Sequence, residues 1–159
     1  MIIVMSGIPG SGKSTLVKQL VDEHLKTPFT QADVVSADDF FTDDDGSYKV
    51  VLEARGVAHK LCSDRFSELC RRFRPQDLIV VDNTNLTNQD RADYIKKAAL
   101  HGHSAKVVIV RCPLDVCIQR RDPANPDNKH PIPAERIREM ATAFQEPRPE
   151  WTIQVFDNG

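Results

Sequence analysis

No long apolar run occurs in this 159-residue chain, and neither sign of charge predominates: 21 lysines and arginines face 23 aspartates and glutamates, a formal net charge of −2. The first absence excludes a membrane-spanning helix, which needs about 20 consecutive apolar residues. The second argues against a strongly basic nucleic-acid binder, while leaving room for local basic patches. Cysteine is scarce as well. Cys62, Cys70, Cys112 and Cys117 form no Cys-x-x-Cys pair and no His/Cys zinc spacing. Cys62 and Cys70 fall on one apolar helical stripe, as reduced core thiols do. The apolar start Met1–Met5 is too short for a signal peptide and lacks a basic flank. There is no internal repeat, linker or low-complexity segment. With 40% hydrophobic and 28% charged residues, what remains is an ordinary globular domain, expected to span residues 1–159 in a reducing cytoplasm.

What the chain does have is Gly7-Ile8-Pro9-Gly10-Ser11-Gly12-Lys13-Ser14, followed by Thr15. It comes after the apolar run Met1–Met5 and opens a segment with apolar residues at Leu16, Val17, Leu20, Val21 and Leu25. Strand, glycine-rich loop and helix in that order are the context the phosphate-loop motif G-x-x-x-x-G-K-[ST] requires. Glycines let consecutive backbone N–H groups turn towards phosphate oxygens, where the positive end of the next helix adds attraction. The motif assigns Lys13 to the β- and γ-phosphates and the Ser14 hydroxyl to a magnesium ion. A nucleoside triphosphate such as ATP, with Mg2+, is the expected ligand.

The rest of the chain alternates strands and helices. Asp33–Phe41 reads as a short strand ending in the carboxylates Asp38 and Asp39, before a polar turn, Asp43–Gly46. Helical spacing runs from about Val51 to Phe73, through Ala54, Ala58, Leu61, Cys62, Leu69, Cys70 and Phe73. Leu78–Val81 is a continuous apolar run, as in a strand covered on both faces, and it ends in Asp82-Asn83-Thr84-Asn85. Thr87–Asp90 resembles a capping box that opens a helix closed by Gly102. Ala105–Val110 is the next strand, and Pro113 suits the first turn of a helix to about Arg121. The stretch from Asp122 to Pro131 reads as a loop, Pro133 starts a helix carrying Ile137, Met140, Ala141 and Phe144, and Trp151–Phe156 is a last strand.

The expected fold is α/β, a phosphate-loop NTPase fold with a parallel sheet of about five strands, helices on both faces, and a lid at about 120–134. In such sheets ligands bind beyond the carboxyl ends of the strands. Three of those ends carry polar chemistry here: the phosphate loop, Asp38/Asp39 and Asp82. Phosphoryl transfer needs clamped phosphates, neutralised charge and a deprotonated acceptor oxygen. A carboxylate one strand away can take the acceptor proton. Asp82 is placed to hold magnesium or its waters, or serves only as a strand-end turn residue. Asn83, Thr84 and Asn85 are turn caps or acceptor contacts.

The phosphate loop, the Asp38-Asp39 pair, the Asp-x-Thr-Asn set Asp82–Asn85 and an arginine-bearing lid occur in the order found in polynucleotide 5′-kinases. Over nearly its whole length the chain resembles that phosphate-loop family, including the phage and bacterial end-healing enzymes. It is also similar to stand-alone ATPase/kinase domains with Asp-Asp-Phe-Phe and Asp-Asn-Thr-Asn, within the broader zeta-toxin-like group. The resemblance implies that Asp38 is the general base on a 5′-hydroxyl and that Arg120 and Arg121 act from the lid. It implies acceptor contacts at Asp39, Phe41, Asn83 and Asn85, and a 5′-hydroxyl nucleic-acid end as partner, with no membrane. Asp39 reads equally well as a helix cap or surface acid. Phe40 and Phe41 are candidates for base stacking or core anchors, Lys129 and His130 are further lid candidates, and His59, which resembles a histidine of the stand-alone branch, reads as packed or capping sooner than catalytic. Arg71, Arg72 and Arg74 form a small basic cluster, a solvated helix end or, less simply, a contact for phosphates. The chain departs from the family's nucleic-acid kinases in having Phe41 where an acceptor-phosphate arginine stands, and in lacking an arginine within Asp122–Pro131. The alternatives are a small-molecule (sugar, nucleoside or nucleotide-sugar) kinase and an ATP-binding interaction module.

Overall fold

The computed structural model describes residues 1–41, 55–128 and 130–159, with Phe41 described by its backbone alone. The Asp43–Gly46 turn, the helix start Val51–Ala54, Lys129 and the side chain of Phe41 lie outside the described residues. The strands are β1 (Ile2–Ser6), β2 (Ala32–Val35), β3 (Leu78–Val81), β4 (Ala105–Arg111) and β5 (Ile153–Asp157). The helices are α1 (Lys13–His24), α2 (Arg55–Arg72), α3 (Asn88–Leu100), α4 (Leu114–Arg121) and α5 (Ala134–Ala143).

Among the described residues the five strands form one sheet in the order β2-β3-β1-β4-β5, with every neighbouring pair parallel. The central strands β1 and β3 are buried along their whole length, which is why they read as unbroken apolar runs. Their side chains alternate between two cores. Ile2, Val4, Ile79 and Val81 meet Ala58, Cys62, Phe66, Leu69 and Cys70 of α2 and Tyr94 and Ala98 of α3. Ile3, Met5, Leu78, Val80, Val108 and Val110 face Val17 on the other side, with Leu16, Leu20 and Val21 of α1 packed alongside. The connection from β1 to β2 crosses the sheet one way and that from β3 to β4 the other, so right-handed crossovers send α1 and α3 to opposite faces. The chain therefore reverses direction at the carboxyl ends of β1 and β3, where a ligand crevice opens.

Several boundaries differ from the sequence reading. The strand expected over Asp33–Phe41 is Ala32–Val35, and the carboxylate pair rides a 3-10 turn, Ala37–Phe41. The α2 stripe includes Phe66, 0% exposed and edge-on to Tyr94 with ring centres 5.1 Å apart, whereas Leu61 is exposed. His59 is exposed rather than packed, because it falls on the solvent side of the turn that buries Ala58. Trp151 precedes β5 and lies under the guanidinium of Arg148, 5.3 Å from the ring centre. The Thr87–Asp90 box is formed: Asp90 N–H donates to Thr87 Oγ1 and Thr87 N–H to Asp90 Oδ2, both at 3.2 Å. No helix of the described residues is long and apolar enough to cross a membrane.

Candidate active site

The loop between β1 and α1 turns at Gly10 and Gly12, whose φ angles of 84° and 98° lie in the left-handed region. A Cβ at Gly10 would meet the Cys117 carbonyl oxygen at 2.6 Å, so α4 packs directly on the loop. A Cβ at Gly12 would collide with the Asn158 side chain. The loop is held on two more sides. Gly7 N–H donates to Thr84 O at 3.0 Å, and Asn158 Nδ2 donates to Ser11 O at 2.9 Å. Ser11 is buried, and its Oγ has no hydrogen-bond partner among the described residues. That leaves a donor in the floor of the loop, as a phosphate cradle requires.

Lys13, the first residue of α1, is only 9% exposed, and its Nζ donates to Ile8 O at 3.0 Å. Burial lowers its pKa to about 8, with Arg121 adding to the fall and Asp82 opposing it. Ser14 Oγ donates to Asp82 Oδ2 at 2.9 Å, joining the start of α1 to the end of β3. Burial pushes the Asp82 carboxyl up, Lys13 and the Ser14 hydroxyl hold it down, and Asp38 adds to the push. A hydroxyl and a carboxylate side by side are hard oxygen donors of the kind that suit magnesium, which takes few protein ligands and completes its shell with water and phosphate.

Asp38 and Asp39 lie exposed on the 3-10 turn after β2, two strands from the loop rather than one, because β3 inserts between β2 and β1. The Asp38 carboxylate is close enough to act on the charges of both Lys13 and Asp82. Its N–H donates to Ser36 Oγ at 3.2 Å. Desolvation pushes the Asp39 carboxyl up, with Arg65 countering. The turn hangs from β3: Ala37 N–H donates to Asn83 Oδ1 at 2.8 Å.

Asn83 and Asn85, read from sequence as turn caps or acceptor contacts, are 8% and 4% exposed, and their amides bond inward. Asn83 Nδ2 donates to Tyr94 Oη at 3.4 Å and meets Cys62 Sγ at 3.5 Å. Asn85, at a φ of 41°, donates from Nδ2 to Met5 O at 2.7 Å, and its own carbonyl accepts from Ser6 Oγ at 3.0 Å. These bonds lock the end of β3 to β1, so the two residues shape the site from beneath.

A cavity of about 520 Å³ opens over the loop. Gly10, Gly12, Lys13, Ser14 and Thr15 line it together with Arg120, Arg121 and His130. Arg120 Nη1 donates to Gly10 O at 3.0 Å, and Arg121 Nη1 to His130 O at 3.4 Å. Arg120 therefore touches the phosphate loop directly, and Arg121 lines the same cavity. Arg71, Arg72 and Arg74 are exposed at the end of α2, away from it; Arg72 pairs with Glu68 at 3.4 Å and Arg74 with Asp77 at 3.1 Å. Asn158, which lines the same cavity, was missed from sequence. The rule that ligands sit beyond strand ends, applied to β5, was the signal that would have found it.

Sheet order, loop and cavity together define a phosphate-loop NTPase fold. The model of a family described as an AAA domain matches residues 2–147, and the chain belongs to that family. The chain is 29% identical over 101 residues to human NEDD4-binding protein 2, covering 63% of this chain and 5% of that protein. It is 33% identical over 87 residues to 2′,3′-cyclic-nucleotide 3′-phosphodiesterase of Pongo abelii, covering 53% of this chain and 18% of that one. The chain thus corresponds to a small part of either curated relative. Among solved structures it is similar to Kti12 of Chaetomium thermophilum with ADP-AlF3: TM-score 0.71, 19% identity, 99% of this chain and 88% of that one. It is also similar to a chain of the Pnkp1/Rnl/Hen1 RNA repair complex: TM-score 0.67, 18% identity, 91% and 43% covered. A gluconokinase from Sinorhizobium meliloti matches with TM-score 0.62 at 18% identity, over 99% and 82% of the two chains. At these identities the likeness to solved structures is one of fold.

Proposed function

We propose that the chain is an ATP- and magnesium-dependent phosphotransferase acting on a hydroxyl, with the 5′-hydroxyl end of RNA or DNA as acceptor. The observation that carries this reading is a second carboxylate, Asp38, exposed after β2 at the same carboxyl edge of the parallel sheet as the phosphate loop and Asp82. A module that only bound nucleotide would need the loop and Asp82 but not Asp38. Loop N–H groups and Lys13 hold the phosphates, and Arg120 and Arg121 face them from the lid. Asp38 accepts the proton of the acceptor hydroxyl as its oxygen attacks in line. Ser14 and Asp82 would hold magnesium; when bound, the ion neutralises charge on the β- and γ-phosphates. Membership of an RNA repair complex by one structural relative supports the choice of a nucleic-acid end.

Phe41, in the position where similar nucleic-acid kinases carry an acceptor-phosphate arginine, favours a second reading, a small-molecule kinase. One experiment separates them. Labelled ATP and magnesium are offered with a 5′-hydroxyl oligonucleotide, its 5′-phosphorylated twin and, separately, small sugars and nucleosides, with Asp38→Asn run in parallel. Label should reach only the 5′-hydroxyl strand, more weakly as salt rises because phosphate contacts release counterions. The Asp38→Asn protein should lose about 10²–10⁴-fold in transfer. Label on a sugar or nucleoside, insensitive to salt, would overturn the choice of acceptor; full activity of Asp38→Asn would overturn the base.

A further inference from the structure

Arg91 is the largest fully buried side chain among the described residues, at 0% exposure, and none of its hydrogen bonds there goes to a carboxylate. Its Nε donates to Asn85 O at 2.9 Å and to Ser6 Oγ at 3.2 Å. Nη1 donates to Asn88 Oδ1 at 2.9 Å, and Nη2 to Ser6 Oγ at 2.9 Å and Leu86 O at 3.1 Å. One face of the guanidinium lies over the Phe144 ring, 5.1 Å from its centre. Burying a cation without an ion pair is costly. An apolar side chain of the same size would fill the space but hold none of these groups.

The groups it holds belong to three parts of the site. Ser6 ends β1, immediately before the phosphate loop. Asn85 and Leu86 lie in the segment that follows Asp82. Phe144 caps α5, which packs on α4, the helix that carries Arg120 and Arg121. The residues after Phe144 are fastened to the same segment: Gln145 N–H donates to Leu86 O and Asn88 N–H to Gln145 Oε1, both at 2.8 Å. Asn88 Nδ2 also donates to Glu146 O at 3.1 Å.

We infer that Arg91 is a positioning residue for phosphoryl transfer: it anchors the α4–α5 unit to the strand ends, so that Arg120 and Arg121 meet the phosphates held by Lys13. This rests on the reading of those arginines as phosphate contacts. The phosphate loop binds the ground-state nucleotide without the anchor, and the anchor sets only where the lid charges stand in the transition state. Its loss therefore lowers turnover and spares affinity.

Replacing a buried arginine risks the fold, so the test removes its half-exposed partner, with Phe144→Ala and the ring-preserving Phe144→Tyr. Turnover of ATP, affinity for a fluorescent ATP analogue and melting temperature are measured on each. Phe144→Ala should lower kcat about tenfold through misplaced lid charges, with Kd within about twofold, and Phe144→Tyr should restore kcat. Because Phe144 acts through both lid arginines, Phe144→Ala added to the double variant Arg120→Ala/Arg121→Ala should slow it no further. An unchanged kcat per folded molecule, or losses that multiply, overturns the inference. Should the chain turn over no ATP, which would sink the kinase reading, hydrogen exchange still decides. A non-hydrolysable ATP analogue should slow exchange in α4 and α5 of the parent chain and fail to do so in Phe144→Ala that still binds it. Retained protection overturns the anchor.

Discussion

The two sides of the crevice are built differently. On the phosphate side each group is fixed by others: Lys13 to Ile8 O, Ser14 to Asp82, Ser11 O to Asn158 and Gly10 O to Arg120. On the acceptor side Asp38, Asp39 and Phe40 stand exposed on a 3-10 turn tied to β3 through Asn83. Phe40, Val57 and Leu61 are all exposed on this side, where the turn packs against α2. Triphosphates are alike whatever the acceptor, so their cradle can be rigid and closed in advance. On the proposed reading the open half is the one that would meet the acceptor; relatives of the same fold are named for RNA repair and as a gluconokinase.

That contrast can be broken from either side. Lys13→Ala, on the rigid side, should lower ATP turnover about 10²–10³-fold or more, measured by release of labelled phosphate, since one preorganised electrostatic group is removed. Near-normal turnover would mean the cradle does not depend on its buried cation. Next in size is a pH effect. Lys13 in the free protein loses its proton as pH rises through about 8, and a bound phosphate favours the charged form. ATP affinity should therefore be constant below about pH 7.5 and weaken above 8 by up to about tenfold per pH unit, with proton uptake on binding. Isothermal titration in buffers of different ionisation enthalpy checks both. The smallest effect belongs to the tie between the halves. Asn83→Ala should cost about 1–3 kcal/mol in denaturant unfolding, because Ala37 N–H and Tyr94 Oη lose a partner. ATP affinity should stay within about twofold. A large loss of affinity would show that the halves are one rigid unit.

Much of this was legible in the chain. The phosphate loop, the apolar runs of β1 and β3 and the capping box at Thr87 depend on residues close in sequence, where local rules operate. The inward turn of Asn83 and Asn85 was not legible. Asn83 is positioned by Cys62 and Tyr94, 21 and 11 residues away, and Asn85 by Met5, 80 residues away. The same holds for Arg91, whose charge marks a helix position as solvent-facing until its partners on β1 and after α5 are known. The carboxylate pair was placed at the right strand end, but its 3-10 turn was read as strand because Val34, Val35 and the two phenylalanines extend the apolar pattern.

The strand order has a kinetic consequence. β1 is the first element of the chain, yet Ile2 pairs with Ile79 on one side and Ala105 on the other, so neither neighbour exists until 77 and 103 further residues have been made. Sheets assembled from such distant partners form slowly, because long loops must close before any pairing rewards them. During synthesis the apolar stretch Ile2–Met5 therefore waits as an unpaired, aggregation-prone segment. The phosphate loop behind it takes shape only as the sheet closes, so nucleotide arriving at that moment would draw the late stages of folding forward by mass action.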